Sequence, residues 1–449
     1  MVLKKKNKLK KKIFIKTFGC QMNEYDSNRI TDLTKKIGYI KTNNLKETNC
    51  YVLNTCHIRE KATEKMYHEV GRIKKEFSNK KKPIIIITGC VAQAEGEIIL
   101  KKEKYVDAVI GPQSYHKINE IIKNIEEKNN KFNETDFKTI EKFDELNKYK
   151  NSNNKISSYL TIQEGCDKFC KFCVVPYTRG PEYSRSFSEI LNEAKDLVSN
   201  GVKEIILLGQ NVNAYRNDSK KLADLIYSLD KIEGLKRIRY TTSHPKDMTK
   251  DLIQAHGDCK KLMPYLHLPL QSGSNKILKE MNRKHTIDEY LNTIELLKNI
   301  NPQIKLSSDF IIAYPRETKN DFDKSLEILN KVKFINSFSF IYSPRPGTPA
   351  SLKSEINYSE AKKRLMIFQS EADKIKIDYK SSLVNKTTKV LVENKSKDRR
   401  YYFGRDEFNN SVIIKSEKDL IGKIQNINIT NFNQNTLFGA IPEDKKNAA

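Results

Sequence analysis

The chain has 449 residues, and its 82 Lys and Arg against 56 Asp and Glu give a formal net charge of +26. At roughly 100 to 200 residues per domain, this length predicts about two to four domains. No apolar run approaches the roughly 18 residues that cross a bilayer, so the sequence excludes a membrane-spanning helix. An apolar content of 38% is enough for several cores and excludes a wholly disordered chain.

The first residues are rich in lysine and lead into a short strand-like segment rather than an apolar stretch, which argues against a signal peptide. We therefore expect a cytoplasmic location, where the eight cysteines are better suited to metal ligation or catalysis than to disulfides. Lysine is abundant along the whole chain, and such a bias can reflect genome base composition. The rarer arginines are therefore more informative about a nucleic-acid partner than the common lysines.

Short β-branched runs at residues 13–15, 51–53 and 84–87 alternate with helical patterns at 26–37 and 59–77. This alternation predicts a parallel sheet covered by helices over residues 11–125. Residues 126–154 are mostly Lys, Asn, Glu and Asp, and we interpret them as a linker or a frayed helical connection.

The alternation then resumes, and long gaps between strands predict a partial barrel of βα units over residues 155–382. Its six predicted strands are 159–163, 204–208, 237–241, 265–268, 305–312 and 337–342. From residue 383 to 449 the pattern changes to short strands at 389–392, 411–414 and 424–429, which predict a small all-β barrel of the oligonucleotide-binding type.

Cys166, Cys170 and Cys173 have Cys-x3-Cys-x2-Cys spacing directly after the first barrel strand. A structural zinc site or a ferredoxin cluster would need a fourth ligand, and none follows at the usual spacing. Three thiolates suit a [4Fe–4S] cluster with one open iron. Such an iron can bind S-adenosylmethionine, whose reductive cleavage releases a 5′-deoxyadenosyl radical.

Three other cysteines each follow one of the N-terminal strands: Cys20, Cys56 and Cys90. In a parallel sheet these positions share the carboxyl edge, where ligands bind. Gly19 and Gly89 allow close backbone approach there. We infer a second three-cysteine iron–sulfur cluster, and we expect Cys50 and Cys259 to belong to neither. One cluster would generate a radical and the other would hold a sulfur atom for delivery to a C–H position.

At these residues the sequence resembles the methylthiotransferase family of radical S-adenosylmethionine enzymes, and within it the MiaB-type tRNA-modifying branch. The resemblance runs from about residue 11 to residue 441. The stretches that support it are residues 16–27, 53–62, 89–93, 173–180, 208–215, 242–245, 267–274 and 281–283.

The resemblance implies a flavodoxin-like N-terminal α/β domain, a partial (β/α)6 radical S-adenosylmethionine barrel and a C-terminal TRAM domain. It implies conversion of N6-isopentenyladenosine, next to the anticodon at position 37 of tRNA, to its 2-methylthio derivative. One S-adenosylmethionine supplies the methyl group and a second supplies the radical. The resemblance assigns Cys166, Cys170 and Cys173 to the radical cluster, and the other triad to the auxiliary cluster. We further expect a flavodoxin-type electron donor and a monomer.

Phe172 is expected to lie against the adenine of the cofactor. Polar residues at the carboxyl ends of the barrel strands are expected to contact the cofactor or to bond the backbone: Gln210, Asn211, Ser243, His244, Gln271 and Ser272. His267 lies inside its strand and is expected to be a satisfied core histidine.

The expected tRNA contacts are arginines. Arg179, Arg185 and Arg345 are interpreted as phosphate or cluster-neighbour contacts. Arg399, Arg400 and Arg405, with interleaved Tyr401, Tyr402 and Phe403, suit single-stranded RNA, although such aromatics could instead form the core of the small barrel.

One departure concerns the family's Gly-Phe-Pro-Gly-Glu-Thr stretch, which reads Ala-Tyr-Pro-Arg-Glu-Thr at residues 313–318. Loss of both glycines puts the local backbone in question.

Two other functions stay open. The first is a sister enzyme acting on N6-threonylcarbamoyladenosine of tRNA or on a ribosomal-protein aspartate. The second is a non-catalytic iron–sulfur protein that binds RNA or transfers electrons, against which the three-cysteine sets argue.

Overall fold

The structure is a computed structural model that describes residues 11–56, 61–137, 139–149, 151, 155–396 and 400–442. The chain divides into two compact units. The N-terminal unit comprises Met1–Ser152, Glu164–Asp167 and Val174–Arg185, and the C-terminal unit comprises Asn153–Gln163, Lys168–Cys173 and Ser186–Ala449. Within the described residues, no helix is long and apolar enough to cross a membrane.

The N-terminal unit is built on a 6-stranded parallel sheet in the order β2-β1-β3-β4-β5-β6. Its strands are β1 Lys11–Thr17, β2 Tyr39–Lys41, β3 Cys50–Thr55, β4 Ile84–Gly89, β5 Ala108–Ile110 and β6 Phe132–Glu134. The first five strands have the winding order of flavodoxin-like folds, which confirms the predicted fold class.

Helices cover both faces of this sheet because its strands are apolar on both sides. Val52 of β3 packs into one core, and its neighbours Tyr51 and Leu53 pack into the other. The helices of this part are α1 Gln21–Lys35, α2 Lys61–Glu76, α3 Cys90–Lys102, α4 Ile118–Lys128 and α5 Thr139–Asn147.

The segment interpreted as a linker, residues 126–154, contributes regular structure to this unit. It contains the end of α4, the edge strand β6 and the helix α5. Phe143 and Leu146 of α5 are three residues apart and both are buried. These two apolar side chains pack the helix against the N-terminal core, although the rest of the segment has the composition of a linker. The short elements α6 Val175–Arg179 and β9 Tyr183–Ser184 also belong to the N-terminal unit, and β8 Gln163–Glu164 ends in it.

The C-terminal unit contains six parallel strands in two sheets, β13-β10-β7 and β14-β15-β16. An isolated parallel bridge between Ile238 and Leu262 lies where the two sheets meet. The strands are β7 Ser157–Thr161, β10 Glu204–Leu208, β13 Arg237–Thr241, β14 Tyr265–His267, β15 Lys305–Ile312 and β16 Asn336–Ile341. All six predicted strands are therefore present, within about two residues of their predicted ends.

One face of these strands packs against a layer of helices, as in other βα barrels. Phe310 of β15, for example, contacts Phe334 and Phe368. The helices are α7 Phe187–Ser199, α8 Leu222–Asp230, α9 Lys250–Asp258, α10 Asn275–Glu280, α11 Ile287–Ile300, α12 Lys319–Val332 and α13 Tyr358–Ser381. A small hairpin is formed by β11 Arg216–Asn217 and β12 Lys220–Lys221.

The last part of the chain is a closed barrel in the order β17-β18-β19-β21-β20, as the sequence predicts. Its strands are β17 Thr387–Lys395, β18 Tyr401–Asp406, β19 Ser411–Lys415, β20 Ile424–Phe432 and β21 Thr436–Ala440. Two buried arginines of β13 attach it to the βα barrel. Arg237 donates to the carbonyls of Arg405 and Lys389, at 2.7 and 2.8 Å, and Arg239 donates to that of Asp406 at 2.8 Å.

Candidate iron–sulfur sites

Three cysteines follow adjacent parallel strands at one edge of the N-terminal sheet: Cys20, Cys56 and Cys90. Thr17 is opposite Asn54, and Thr55 is opposite Gly89, so β1, β3 and β4 end almost level. The structure therefore brings together the carboxyl-edge positions that the sequence predicted.

Gly19 and Gly89 are required by close approach at this edge. A Cβ atom on Gly19 would lie 2.4 Å from the Cβ of Cys56, and one on Gly89 would lie 2.1 Å from the carbonyl oxygen of Thr55. Both glycines also have positive φ, +145° and +94°. Cys20 is the N-cap of α1 and Cys90 is the first residue of α3, so both lie at the positive end of a helix dipole.

A network of asparagines fixes the Cys20 turn. The Sγ of Cys20 lies 3.2 Å from the Oδ1 of Asn23, whose amide donates to Asn54 Oδ1 at 2.8 Å. The Asn54 amide in turn donates to the backbone oxygen of Asn23 at 2.8 Å and to the hydroxyl of Ser27 at 3.0 Å. All three polar residues are buried, so the thiol position is held by satisfied side chains rather than by solvent.

The electrostatics of this edge favour thiolates. A hydrogen bond with the Cys56 side chain lowers the pKa of Cys20 to about 6, and the charge of Arg179 contributes in the same direction against the opposing effect of burial. By contrast, burial raises the pKa of Cys259 to about 12 and also raises that of Cys50. Those two cysteines are buried in apolar cores, consistent with their expected absence from a cluster.

Arg179, which was expected to contact a tRNA phosphate or a cluster, is buried in the N-terminal unit. Its side chain is 2% exposed, and its guanidinium lies 3.1 Å from Asp26 and 3.6 Å from Glu164. Lys142, also buried, bonds Glu164 at 2.5 Å and lies 3.8 Å from Asp26. The pKa of Glu164 is lowered by Lys142 and Arg179 against the effect of burial. In this position the guanidinium cannot reach an RNA phosphate, and its charge acts on the Cys90 and Cys20 thiols instead.

Arg185 is likewise buried in the N-terminal unit rather than presented to RNA. Its guanidinium donates to Asn147 Oδ1 at 3.0 Å and lies 4.7 Å from the ring centroid of Phe143. It holds α5 in place through a hydrogen bond and a cation–π contact.

Cys166 belongs to the N-terminal unit. Its backbone N–H donates to Gly180 O at 3.2 Å, and Gly165 before it has a φ of +76°. A Cβ atom on Gly165 would lie 1.8 Å from Pro181 O, so only glycine fits this turn.

Cys170 and Cys173 belong to the C-terminal unit. The backbone N–H of Cys173 donates a hydrogen bond to the carbonyl oxygen of Cys170 at 2.9 Å. Arg283 donates to the Sγ of Cys170 at 3.6 Å and to Pro269 O at 2.6 Å. The Asn282 amide donates to the Phe169 carbonyl at 2.9 Å. Residue-by-residue reasoning missed both Asn282 and Arg283, although an arginine in a lysine-biased chain was a usable signal.

Within the described residues, no three His, Cys, Asp or Glu side chains meet closely enough to hold a single metal ion. In a [4Fe–4S] cluster the thiolates bind different irons, so they stand farther apart than the ligands of one ion. Three cysteine thiolates form a donor set of the kind that holds an iron–sulfur cluster.

Phe172 packs beside a small apolar cluster that includes Met281, Tyr314 and Tyr342. Its position between two cysteines is thus fixed by packing. Phe169, on the same loop, has a φ of 49° and is exposed.

The polar residues at the strand ends differ in their burial and in their hydrogen-bond partners. Ser243 is buried, and its hydroxyl meets no hydrogen-bond partner among the described residues, so it is available to a ligand. Ser272 Oγ instead accepts the Ser274 N–H at 3.2 Å, and Asn211 donates to Asp247 at 2.7 Å. Gln210 and Gln271 are half-buried; the remaining member, His244, accepts a bond from the N–H of Lys246 at 3.2 Å.

His267 is satisfied, but it is not a core residue. Its Nδ1 lies 2.8 Å from Ser307 Oγ and its Nε2 lies 3.3 Å from Asp309 Oδ2. It lies on the barrel face opposite the helices, since its neighbour Leu266 packs into the helix-side core.

The remaining arginines lie at the surface of the C-terminal unit, except Arg399, which lies outside the described residues. Arg345 is half-buried in the loop after β16, and Arg400 is exposed. Arg405 lies 3.5 Å from Glu393 and 5.4 Å from the centroid of Phe403. Tyr402 is fully buried in the small barrel, so at least one interleaved aromatic belongs to the barrel's own core.

The departure at residues 313–318 keeps the backbone that glycine would allow. Ala313 has a φ of 58° and Arg316 a φ of 70°. The N–H of Ala313 donates to Glu317 at 3.1 Å, and Glu317 accepts from Arg364 at 3.0 Å. The Glu317 side chain therefore holds Ala313 in a conformation that costs a non-glycine residue energy.

Comparison with known proteins gives three family matches. Residues 12–111 match the uncharacterized protein family UPF0004, residues 160–329 the radical SAM superfamily, and residues 381–441 the TRAM domain. The fold is similar to that of a radical S-adenosylmethionine methyltransferase, TsrM, from Kitasatospora setae. The TM-score is 0.57 at 10% identity, over 76% of this chain and 75% of that chain.

Relatives cover nearly the whole length. The chain is 59% identical to a tRNA-2-methylthio-N(6)-dimethylallyladenosine synthase of Pelagibacter ubique, over 97% of this chain and 99% of the relative. A protein of the same description from Roseobacter denitrificans is 47% identical over 95% of this chain and 98% of the relative. With this identity over full length, the chain belongs to the tRNA-2-methylthio-N(6)-dimethylallyladenosine synthase family of radical SAM enzymes.

Proposed function

We propose that the chain methylthiolates C2 of N6-isopentenyladenosine next to the anticodon, at position 37 of tRNA. The observation that carries the proposal is the pair of three-cysteine sets, one on a sheet edge and one on a single loop, in a member of this family. Two sets imply two [4Fe–4S] clusters, and the tRNA substrate makes the cytoplasm the expected place of action.

Cys166, Cys170 and Cys173 would hold the radical cluster, an assignment that rests on their spacing. When bound, such a cluster supplies the electron that cleaves S-adenosylmethionine to a 5′-deoxyadenosyl radical. Arg283 donates to the Sγ of Cys170 and thereby helps to fix the position of this sulfur atom. The unpartnered hydroxyl of Ser243 is our first candidate for a polar contact to the cofactor.

Cys20, Cys56 and Cys90 would hold the auxiliary cluster and present the sulfur for transfer. Cys20 lies at the N-terminus of α1, and the charge of Arg179 contributes to lowering the pKa of Cys20. The buried network of Arg179, Asp26 and Lys142 keeps that charge close to the cysteines and away from solvent.

The test is anaerobic turnover of the reconstituted chain with S-adenosylmethionine, a flavodoxin-type reductant and tRNA carrying isopentenyladenosine. We expect a 2-methylthio nucleoside and 5′-deoxyadenosine by mass spectrometry. Product on a threonylcarbamoyladenosine tRNA instead would contradict the substrate. Absence of both products in a cluster-replete sample would contradict the reaction. Sedimentation of the same sample tests the expected monomer.

A further inference from the structure

The last barrel strand, β16, carries two half-exposed phenylalanines. Side chains alternate along the strand, and Ile341 packs against the core on the α13 side. Phe338 and Phe340 therefore lie on the opposite, inner face, and they are 49% and 57% exposed. In a complete βα barrel, packed side chains fill this face. Two large exposed apolar side chains on one strand face indicate an interaction site.

Polar groups of the neighbouring strands lie beside these rings. Phe338 is opposite Asp309 in the register of β15 and β16. His267 of β14 meets the Phe338 ring edge-on at 6.1 Å and lies 3.3 Å from the Asp309 carboxylate. The Asp309 side chain is 30% exposed, so an acceptor remains accessible next to the aromatic surface.

The same face continues to the radical loop. Phe340 is opposite Ile311, and Ile311 packs against the cluster that contains Tyr314 and Tyr342. Phe172, between the cysteines Cys170 and Cys173, packs against that cluster as well. Phe340 is thus the cross-strand neighbour of a residue that packs against the same apolar cluster as Phe172.

We propose that Phe338 and Phe340 bind the isopentenyladenine base of the tRNA, with His267 and Asp309 on its polar edge. A base that undergoes chemistry must leave its stack, and aromatic side chains replace the lost stacking. Its hydrocarbon substituent needs an apolar surface, and its ring nitrogens need a donor and an acceptor. The four side chains offer both within one face. This inference rests on the proposed function.

The experiment measures binding, independently of turnover, of an anticodon stem–loop RNA to the cluster-reconstituted full chain. Two RNAs are compared by fluorescence anisotropy, one with isopentenyladenosine and one with adenosine at the same position. We expect the wild type to prefer the modified RNA. Phe338→Ala combined with Phe340→Ala should weaken binding of the modified RNA by about tenfold or more and leave the unmodified RNA almost unchanged.

Phe338→Leu with Phe340→Leu keeps the apolar contact without the ring and should fall between wild type and the alanine variant. Tyr358→Ala, at an exposed aromatic of α13, is the matched control and should change neither affinity. Circular dichroism checks that each variant is folded.

An alanine variant that keeps the wild-type preference would overturn the inference, as would a wild type that forms product without any preference in binding. Loss of S-adenosylmethionine binding in that variant would assign the rings to the cofactor instead. Failure of the wild type to form the 2-methylthio product would count against the proposed function, a separate result.

Discussion

The two cysteine sets are assembled in opposite ways. Cys166, Cys170 and Cys173 lie within eight residues of sequence, whereas Cys20, Cys56 and Cys90 come from three strands that only the sheet brings together. The first three cysteines form the loop set, and Asn282 and Arg283 from a distant part of the chain donate hydrogen bonds to this loop. The other three form the edge set, which neighbouring glycines and asparagines hold in place. A local motif specifies ligands by spacing, whereas a dispersed one specifies them by fold.

The largest expected effect is the difference between the reaction products of cysteine variants in the two sets. Cys170→Ala should abolish both 5′-deoxyadenosine and methylthio product, because the radical step precedes transfer. Cys20→Ala should leave 5′-deoxyadenosine formation and remove the product, with loss of roughly half of the bound iron. Mass spectrometry and iron analysis of both variants provide the measurements.

Cys259→Ala is the control for those variants, since this thiol is buried in the apolar core of the C-terminal unit and should leave iron content unchanged. Equal loss of 5′-deoxyadenosine in the Cys20 and Cys170 variants would contradict separate roles.

The next effect concerns the buried charges of the edge set. Arg179→Gln should lower the free energy of unfolding of the N-terminal unit by about 3–5 kcal/mol, because it removes one of the two buried cations that face Asp26 and Glu164. Urea denaturation, monitored by hydrogen exchange of the β3 amides, measures this loss.

Lys101→Gln, in an exposed pair with Glu97, should change stability by less than about 1 kcal/mol. A similarly small loss for Arg179→Gln would mean that the buried network does not stabilise the edge.

The third effect belongs to the C-terminal unit and is pH-dependent. Burial lowers the pKa of His256 to about 4, from an ordinary value of 6.5. Between these values the unfolded chain binds the proton and the folded one does not, so stability present above pH 6.5 is lost as the pH falls toward 4. The loss from this group approaches ~3 kcal/mol.

Urea denaturation of the C-terminal unit from pH 7 to pH 4 measures that dependence. The variant His256→Gln should reduce the slope and leave the part that comes from His285, whose pKa burial also lowers to about 4. An unchanged slope would contradict the contribution of His256.

The smallest effect tests the strained stretch beside the loop set. Ala313→Gly should raise stability by about 1 kcal/mol, since glycine adopts a positive φ without a steric cost. Lys324→Gly, at an exposed position inside α12, should lower it by about 1 kcal/mol. Thermal melting compares the two, and a decrease for Ala313→Gly would show that the alanine methyl group contributes packing that outweighs its strain.

Sequence reasoning predicted the elements whose signal is local. The six barrel strands and β1, β3 and β4 have apolar runs or alternation of their own. It missed β2, β5 and β6, which have only three residues each. It also missed β18, whose alternation is disguised by Arg405 and Asp406. Short or charged strands depend on neighbours for their pairing, and sequence order does not show those neighbours.

The candidate sites follow the same division. The sequence alone places all six cysteines in segments that follow strands, as the structure does, and their role as cluster ligands stays a prediction. The burial of Arg179 could not, because its partner Asp26 is 153 residues away in sequence. Phe338 and Phe340 lie on the inner face of the barrel because α13 covers the other face of β16. The alternation of side chains along the strand does not show which face the helix covers.

The membership of Glu164–Asp167 and Val174–Arg185 in the N-terminal unit has a practical consequence for dissecting the protein. A fragment cut before residue 155 would contain Cys20, Cys56 and Cys90, yet it would lack Glu164 and Arg179. Asp26 and Lys142 would then be left with one weak contact of 3.8 Å and no further counter-charges from this network. The N-terminal unit is therefore not a contiguous gene segment, and grafting it onto another enzyme requires the loop that follows Cys173 as well.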